Sequence, residues 1–140
     1  MTVTCTNSEK ETEDFAQRLA RGIKPGSFIA LCGPLGAGKT AFVRGLAKGL
    51  GVKEKLSSPT FTLLKAYDSG SVPLYHYDVY RINGCEELDD TGFYDYAVGD
   101  GVCVCEWAEL IENELPPERI NVNIEYVDEN KRKIVVENRA

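Results

Sequence analysis

The chain has 140 residues, 43% of them hydrophobic and 27% charged, which suits one globular domain with a real core. Its formal net charge of -6 argues against a protein that grips nucleic acid unaided, because that binding rests on a basic surface. No apolar run approaches the roughly 20 residues of a membrane span, and Met1-Thr2-Val3-Thr4-Cys5 lacks a basic segment followed by an apolar one.

These features predict a cytoplasmic protein with no membrane contact and a single domain over residues 1–140. Five cysteines, Cys5, Cys32, Cys85, Cys103 and Cys105, include no C-x-x-C pair. Cys103 and Cys105 would share one face of a strand, a poor start for a zinc site without further ligands. Three of the five lie in apolar strand-like runs, and the cysteines read as small buried hydrophobes in a reducing cytosol.

In chain order, Ser8-Glu9-Lys10-Glu11 has the form of a capping box. Phe15, Leu19 and Ile23 follow on one helical face, so a helix is expected from about 9 to 22. Lys24-Pro25-Gly26 is a turn, and Phe28-Ile29-Ala30-Leu31-Cys32 reads as a parallel strand buried on both faces. Arg18, Arg21, Lys24, Lys39, Arg44 and Lys48 make the first third more basic than the middle.

Gly33-Pro34-Leu35-Gly36-Ala37-Gly38-Lys39-Thr40 then matches GxxxxGK[ST]. Its glycines allow a tight turn whose N–H groups point inward at phosphate oxygens. Gly33, Leu35, Gly36, Ala37, Gly38 and Ala41 are therefore candidate backbone contacts. Lys39 is expected to reach the β- and γ-phosphates and Thr40 to ligate the bridging Mg2+. Phe42, Val43, Leu46, Ala47 and Leu50 recur at helical spacing, and Gly51 closes that helix. The helix N-terminus itself favours an anion.

Pro59 keeps Ser58 out of helix, so Ser58-Pro59-Thr60-Phe61 should be extended or loop-like. Phe61 to Tyr67 reads as a strand, Asp68-Ser69-Gly70-Ser71 as a turn, and Val72 to Tyr80 as the returning strand. On the latter, Leu74, His76 and Asp78 alternate with Tyr75, Tyr77 and Val79. Asn83 is positioned to cap a short helix ending before Gly92. Val102-Cys103-Val104-Cys105 is a second buried-strand run with Glu106-Trp107 at its end. A helix from Ala108 to Glu114 stops at Pro116-Pro117, and Arg119–Tyr126 with Lys131–Val136 reads as a hairpin. The fold class is α/β, a P-loop NTPase with a mixed parallel and antiparallel sheet flanked by helices.

A phosphate loop needs a strand-end carboxylate for the metal. Asp78 and Glu106 are the candidates; Glu106 has three roles open to it, namely orienting water, sharing the metal's outer shell or capping a helix. Thr60 offers a second hydroxyl in a loop of the kind that orders around a γ-phosphate. Trp107 can stack on a base, anchor a partner or pack in the core. His76 reads as a structural residue. No N/T-K-x-D element occurs, which favours adenine, and Asp89-Asp90-Thr91-Gly92 follows no apolar strand and reads as a chance D-x-x-G match.

The order GxxxxGKT, Ser58-Pro59-Thr60-Phe61, His76-x-Asp78-x-Tyr80-Arg81, Glu106-Trp107 and Leu115-Pro116 resembles the bacterial TsaE (YjeE) family from about Asn7 to Tyr126. The resemblance implies a small Mg2+-dependent ATPase serving tRNA threonylcarbamoyladenosine synthesis. In that family the protein works with the TsaD–TsaB pair, which performs the transfer, and touches tRNA only through the complex. It implies that Lys39 and Thr40 bind phosphate and magnesium, that Thr60 lies in a switch-like loop and that Asp78 serves the metal. Glu106 and Trp107 form the family's EW pair, and Arg81 supports the site or faces a partner. Pro34 stands where Asp is frequent and Ala41 where a second Thr is frequent; neither position supplies an indispensable ligand. Two other readings remain on the sequence alone: a small kinase, disfavoured because Arg81 is the sole arginine between Gly51 and Asp100, and a nucleotide-gated binding module.

Overall fold

The computed structural model describes residues 1–34, 36–57, 59 and 63–139. The chain runs β1 (Thr2–Thr6), α1 (Glu9–Ala20), β2 (Phe28–Cys32), α2 (Lys39–Gly49), β3 (Leu64–Tyr67), β4 (Leu74–Asp78), α3 (Cys85–Asp90) and α4 (Phe93–Tyr96). It continues through β5 (Val102–Glu106), a 3₁₀ segment (Ala108–Glu114), β6 (Arg119–Tyr126) and β7 (Arg132–Arg139). The strands form one sheet in the order β1-β7-β6-β2-β5-β4-β3. β2 pairs in parallel with β5 and β6, and β4 extends that parallel block beside β5. β3 at one edge, and β7 with β1 at the other, are antiparallel. The class is α/β with a mixed sheet, as the residue pattern predicts.

Period-two alternation divides the core. Ile29, Leu31, Val104 and Val122 pack with Phe42, Val43 and Leu46 of α2 and Ala16 of α1 on one face. Phe28, Tyr77 and Cys103 meet Leu88, Phe93 and Ala108 on the other. Each large apolar side chain so buried contributes about 1.5–3 kcal/mol. The ring of Phe93 meets Phe28 and Tyr77 edge-on, at centroid distances of 5.7 and 5.2 Å. Cys103 and Cys105 share the second face and are fully buried, whereas Cys5, on the edge strand β1, and Cys85, at the start of α3, are exposed and not the core residues expected.

Helices α1 and α2 cross closely because α2 presents glycine at the contact. A Cβ on Gly45 would lie 2.0 Å from the Glu13 carbonyl oxygen, and one on Gly49 would lie 2.4 Å from Ala20 Cβ. The expected cap of α1 forms: Glu11 N–H donates to Ser8 Oγ at 3.1 Å, while the Glu11 carboxylate reaches back to Asn7 N–H at 2.9 Å.

Several elements differ from expectation. β1 and α4 carry no strong local signal: β1 is an exposed edge strand defined by pairing with β7, and α4 is a single turn entered through Gly92 at φ 81°. Gly84 rather than Asn83 occupies the N-cap of α3; the Asn83 N–H instead donates to the Glu87 carboxylate at 3.2 Å. Helix α1 ends at Ala20, and β4 covers only Leu74–Asp78 because its ladder stops with β5 at the Asp78–Glu106 pair. Ala108–Glu114 is a 3₁₀ segment broken at Ile111, not a continuous α-helix. Asp89–Gly92 closes α3 in a turn, away from any strand end. Residues 60–62 of the expected Phe61–Tyr67 strand lie outside the described residues.

Candidate functional site

β2 ends at Cys32, and α2 starts at Lys39 after Gly38, its N-cap, which adopts φ 102°. Gly36 also has positive φ, at 79°, and a Cβ on either glycine would meet no atom within 4 Å. Both project into an open cleft of about 480 Å³ at the N-terminus of α2, lined by Lys39, Thr40, Ala41, Asp78, Glu106 and Trp107 among others. Backbone therefore forms the floor of the concavity, and the orphan N–H groups of the first helical turn face it.

Lys39 is buried at 6% exposure. Its Nζ donates to the Gly33 carbonyl at 2.6 Å and lies 3.3 Å from the centroid of the Trp107 ring. Burial pushes its pKa down, opposed by the charges of Glu106, Glu109 and Asp78. Trp107 holds this position with a left-handed backbone, φ 62° and ψ 32°, while its N–H donates to Leu31 O at 3.1 Å. A bulky non-glycine residue in that region carries strain of about 1–3 kcal/mol, so surrounding structure has to hold it there. The indole is also packed on Tyr80, at a centroid distance of 4.6 Å.

Asp78 and Glu106 face each other across the β4–β5 ladder. Burial raises the pKa of Asp78, the Tyr80 N–H donated to its Oδ1 at 3.0 Å lowers it, and the neighbouring Glu106 charge raises it again. Asp78, Glu106 and Thr40 line the same cleft and offer hard oxygens of the kind Mg2+ takes, one or two protein carboxylates alongside phosphate oxygens. Glu106, 6% exposed, is joined through Oε2 to His76 Nε2 at 2.6 Å, and His76 Nδ1 is buried with no hydrogen-bond partner among the described residues. His76 is thus tied to the strand-end acid rather than merely filling the core.

The far half of the cleft lies across β2, toward β1 and β7, where Glu9, Thr12, Glu129, Asn130 and Arg132 line it. The structure brings Gly36, Gly38, Lys39, Thr40, Ala41, Asp78, Glu106 and Trp107 into one cleft. Gly33 and Ala37 serve it from behind: Gly33 offers its carbonyl to Lys39, while Ala37 is in the core with its N–H on Pro34 O at 3.1 Å. Leu35 and Thr60 lie outside the described residues, as do Ser58 and Phe61. Arg81 is exposed and does not line the cleft. Two participants escape sequence reasoning. His76 showed its face but not its partner strand, and Arg132 sits in a hairpin 95 residues from the loop it touches.

The profile of the family described as "Threonylcarbamoyl adenosine biosynthesis protein TsaE" matches residues 6–134. The chain is 46% identical over 129 residues to the tRNA threonylcarbamoyladenosine biosynthesis protein TsaE of Bacillus subtilis, covering 92% of this chain and 80% of that one. It is 41% identical over 131 residues to the protein of that name from Treponema pallidum, covering 94% and 96%. The fold superimposes on the crystal structure of Bacillus subtilis YdiB with a TM-score of 0.82 at 40% identity, covering 99% of this chain and 84% of that one. With a profile match over residues 6–134 and relatives above 40% identity along nearly the whole chain, this protein belongs to the TsaE family.

Proposed function

We propose that this protein is the ATP-binding and hydrolysing component of the tRNA threonylcarbamoyladenosine machinery. It acts in the cytoplasm as one domain with TsaD and TsaB, meets tRNA only through that complex, and uses ATP turnover to support repeated cycles of modification. The observation that carries the reading is the convergence of Lys39, Thr40, Asp78 and Glu106 on one backbone-floored cleft at the N-terminus of α2.

The residues divide the work as follows. First-turn N–H groups of α2 and the loop backbone hold the phosphates. Lys39 exchanges its Gly33 carbonyl and Trp107 indole for the β- and γ-phosphates, which compensate its buried charge better than either. Thr40 and Asp78 hold Mg2+, with Glu106 beside them; the ion, when bound, offsets charge developing on the transferred phosphoryl group. Glu106, fixed by His76, accepts a hydrogen bond from the attacking water and orients it. Thr60 contributes from the switch-like loop that the family resemblance assigns to it.

Mg-ATP hydrolysis, measured alone and after adding the same organism's TsaD–TsaB pair, tests this. Slow hydrolysis alone and strong stimulation by the pair is the expected result. Absence of stimulation, with phosphate passing to an added small molecule, would replace the reading with a kinase.

A further inference from the structure

We infer that Arg132 is a positioning residue that pre-sets the phosphate loop from the opposite edge of the sheet; this rests on the ATP-binding reading above. Arg132 opens β7, pairing with Tyr126 of β6 and Thr6 of β1. Its Nε donates to Ala37 O at 3.0 Å and its Nη2 to Gly36 O at 3.2 Å. Its Nη1 donates to Asp128 O at 2.8 Å and Lys131 O at 3.1 Å, in the hairpin tip. The guanidinium lies over the Tyr126 ring, 4.4 Å from its centroid. Among the described residues all its hydrogen bonds go to backbone carbonyls, so its charge is left to act on the cleft it lines.

The hairpin tip is tied by its own hydrogen bonds. Asp128 Oδ1 accepts the N–H groups of Asn130 at 3.0 Å and Lys131 at 2.8 Å, bonds that also lower its pKa. A planar fork with several donors can bridge two segments at once, which an ammonium cannot. The consequence for the loop follows from peptide geometry. In a trans peptide the C=O and the following N–H point in opposite directions. Holding Ala37 O on the Arg132 guanidinium therefore fixes the direction of the Gly38 N–H, opposite to that carbonyl, while the Ala37 N–H is already committed to Pro34 O. Glycine at 36 and 38 would otherwise sample many conformations, and the entropy of ordering them would be lost when phosphate binds. Arg132 removes that freedom beforehand, and pre-ordering raises affinity.

The test is calorimetric titration of Mg-ATP and Mg-ADP into wild type, R132A, R132K and the neighbouring control K133A. Thermal midpoints and amide hydrogen exchange at residues 36–40 are measured without nucleotide, and kcat at saturation is followed in parallel. R132A should weaken both nucleotides by a similar factor of about tenfold or more, because the clamp acts before the γ-phosphate is distinguished. It should speed exchange at Gly38, and the loss should show in nucleotide affinity and KM at least as strongly as in kcat. R132K keeps the charge but not the fork and should recover only part of the affinity, while K133A behaves as wild type. Folded R132A with wild-type affinity overturns the clamp. So does full recovery in R132K, which would make charge the whole effect, or a loss confined to kcat. If R132A does not fold, R132K decides: affinity about threefold or more below wild type supports the clamp, and unchanged affinity overturns it. Wild-type protein that binds neither nucleotide would instead overturn the ATP reading, a result distinct from wild-type binding that R132A matches.

Discussion

Lys39 rests in the free protein on two temporary partners, the Gly33 carbonyl and the Trp107 indole, under cover that lowers its pKa. A buried ammonium without compensation is costly, and a cation–π contact contributes about 2 kcal/mol when desolvated. The ammonium can therefore leave when phosphate offers more. Because Trp107 is the only tryptophan, its fluorescence reports that departure. Mg-ATP should change the emission of wild type, and Lys39→Ala should abolish both the change and binding by calorimetry. Unchanged ATP affinity in Lys39→Ala would remove the role assigned to this loop. Glu106 shows the same economy: His76 holds its carboxylate at 2.6 Å, leaving the strand-end acid with one fixed orientation before any ligand arrives.

At the scale of elements, the phosphate loop is only as steady as the helix it opens, and α2 is held to α1 by more than apolar contact. Glu13, 7% exposed, accepts from Arg44 Nε at 3.1 Å and from Lys48 Nζ, and Arg44 also reaches Glu9. The hydrogen bond from Lys48 is the largest cause of the lowered Glu13 pKa, followed by burial, which opposes it, and the Arg44 bond. A carboxyl whose pKa is depressed on folding stabilises the protein above its unfolded value, near 4.3, and loses that contribution as pH falls through the folded value. Glu13→Gln should thus cost about 1–3 kcal/mol at pH 7 and progressively less below pH 4. Urea midpoints of both proteins at pH 7 and pH 3 measure this. An equal gap at the two pH values would mean that the carboxylate charge plays no part.

Across the whole molecule, the cleft draws on both halves of the sheet. One wall comes from the loop after β2, the start of α2 and the ends of β4 and β5, and the other from α1 and the β6–β7 hairpin. A ligand seated there ties the central parallel block to an antiparallel edge, so binding should stabilise the entire fold. At a ligand concentration of 100 times Kd the gain is about 2.7 kcal/mol, a rise in Tm on the order of 10 °C for a chain of this size. Scanning calorimetry with and without Mg-ATP checks it, and one transition moved upward is expected. A transition that splits, with only part of it moved, would mean that the two halves are not coupled through the site. No shift would mean that the folded protein does not bind Mg-ATP.

Much of this was legible in the residues themselves. The phosphate loop, β2, α2, the capped α1, β5 and the C-terminal hairpin all carry local signals: a motif, an apolar run, a periodicity, a cap. Local sterics and hydrophobic period set such elements whatever their neighbours do. Asp78 and Glu106 were legible as strand-end acids for the same reason. What no local signal carried was which strands lie side by side. The parallel β4–β5 pairing sets Asp78 opposite Glu106 and brings His76 within hydrogen-bond reach of that carboxylate. Addition of β7 and β1 to the far edge delivers Arg132 to carbonyls 95 and 96 residues away. Composition and spacing determined the parts and their chemistry. Only long-range pairing, driven by burial of both sheet faces and satisfaction of backbone hydrogen bonds, decided which of those parts meet.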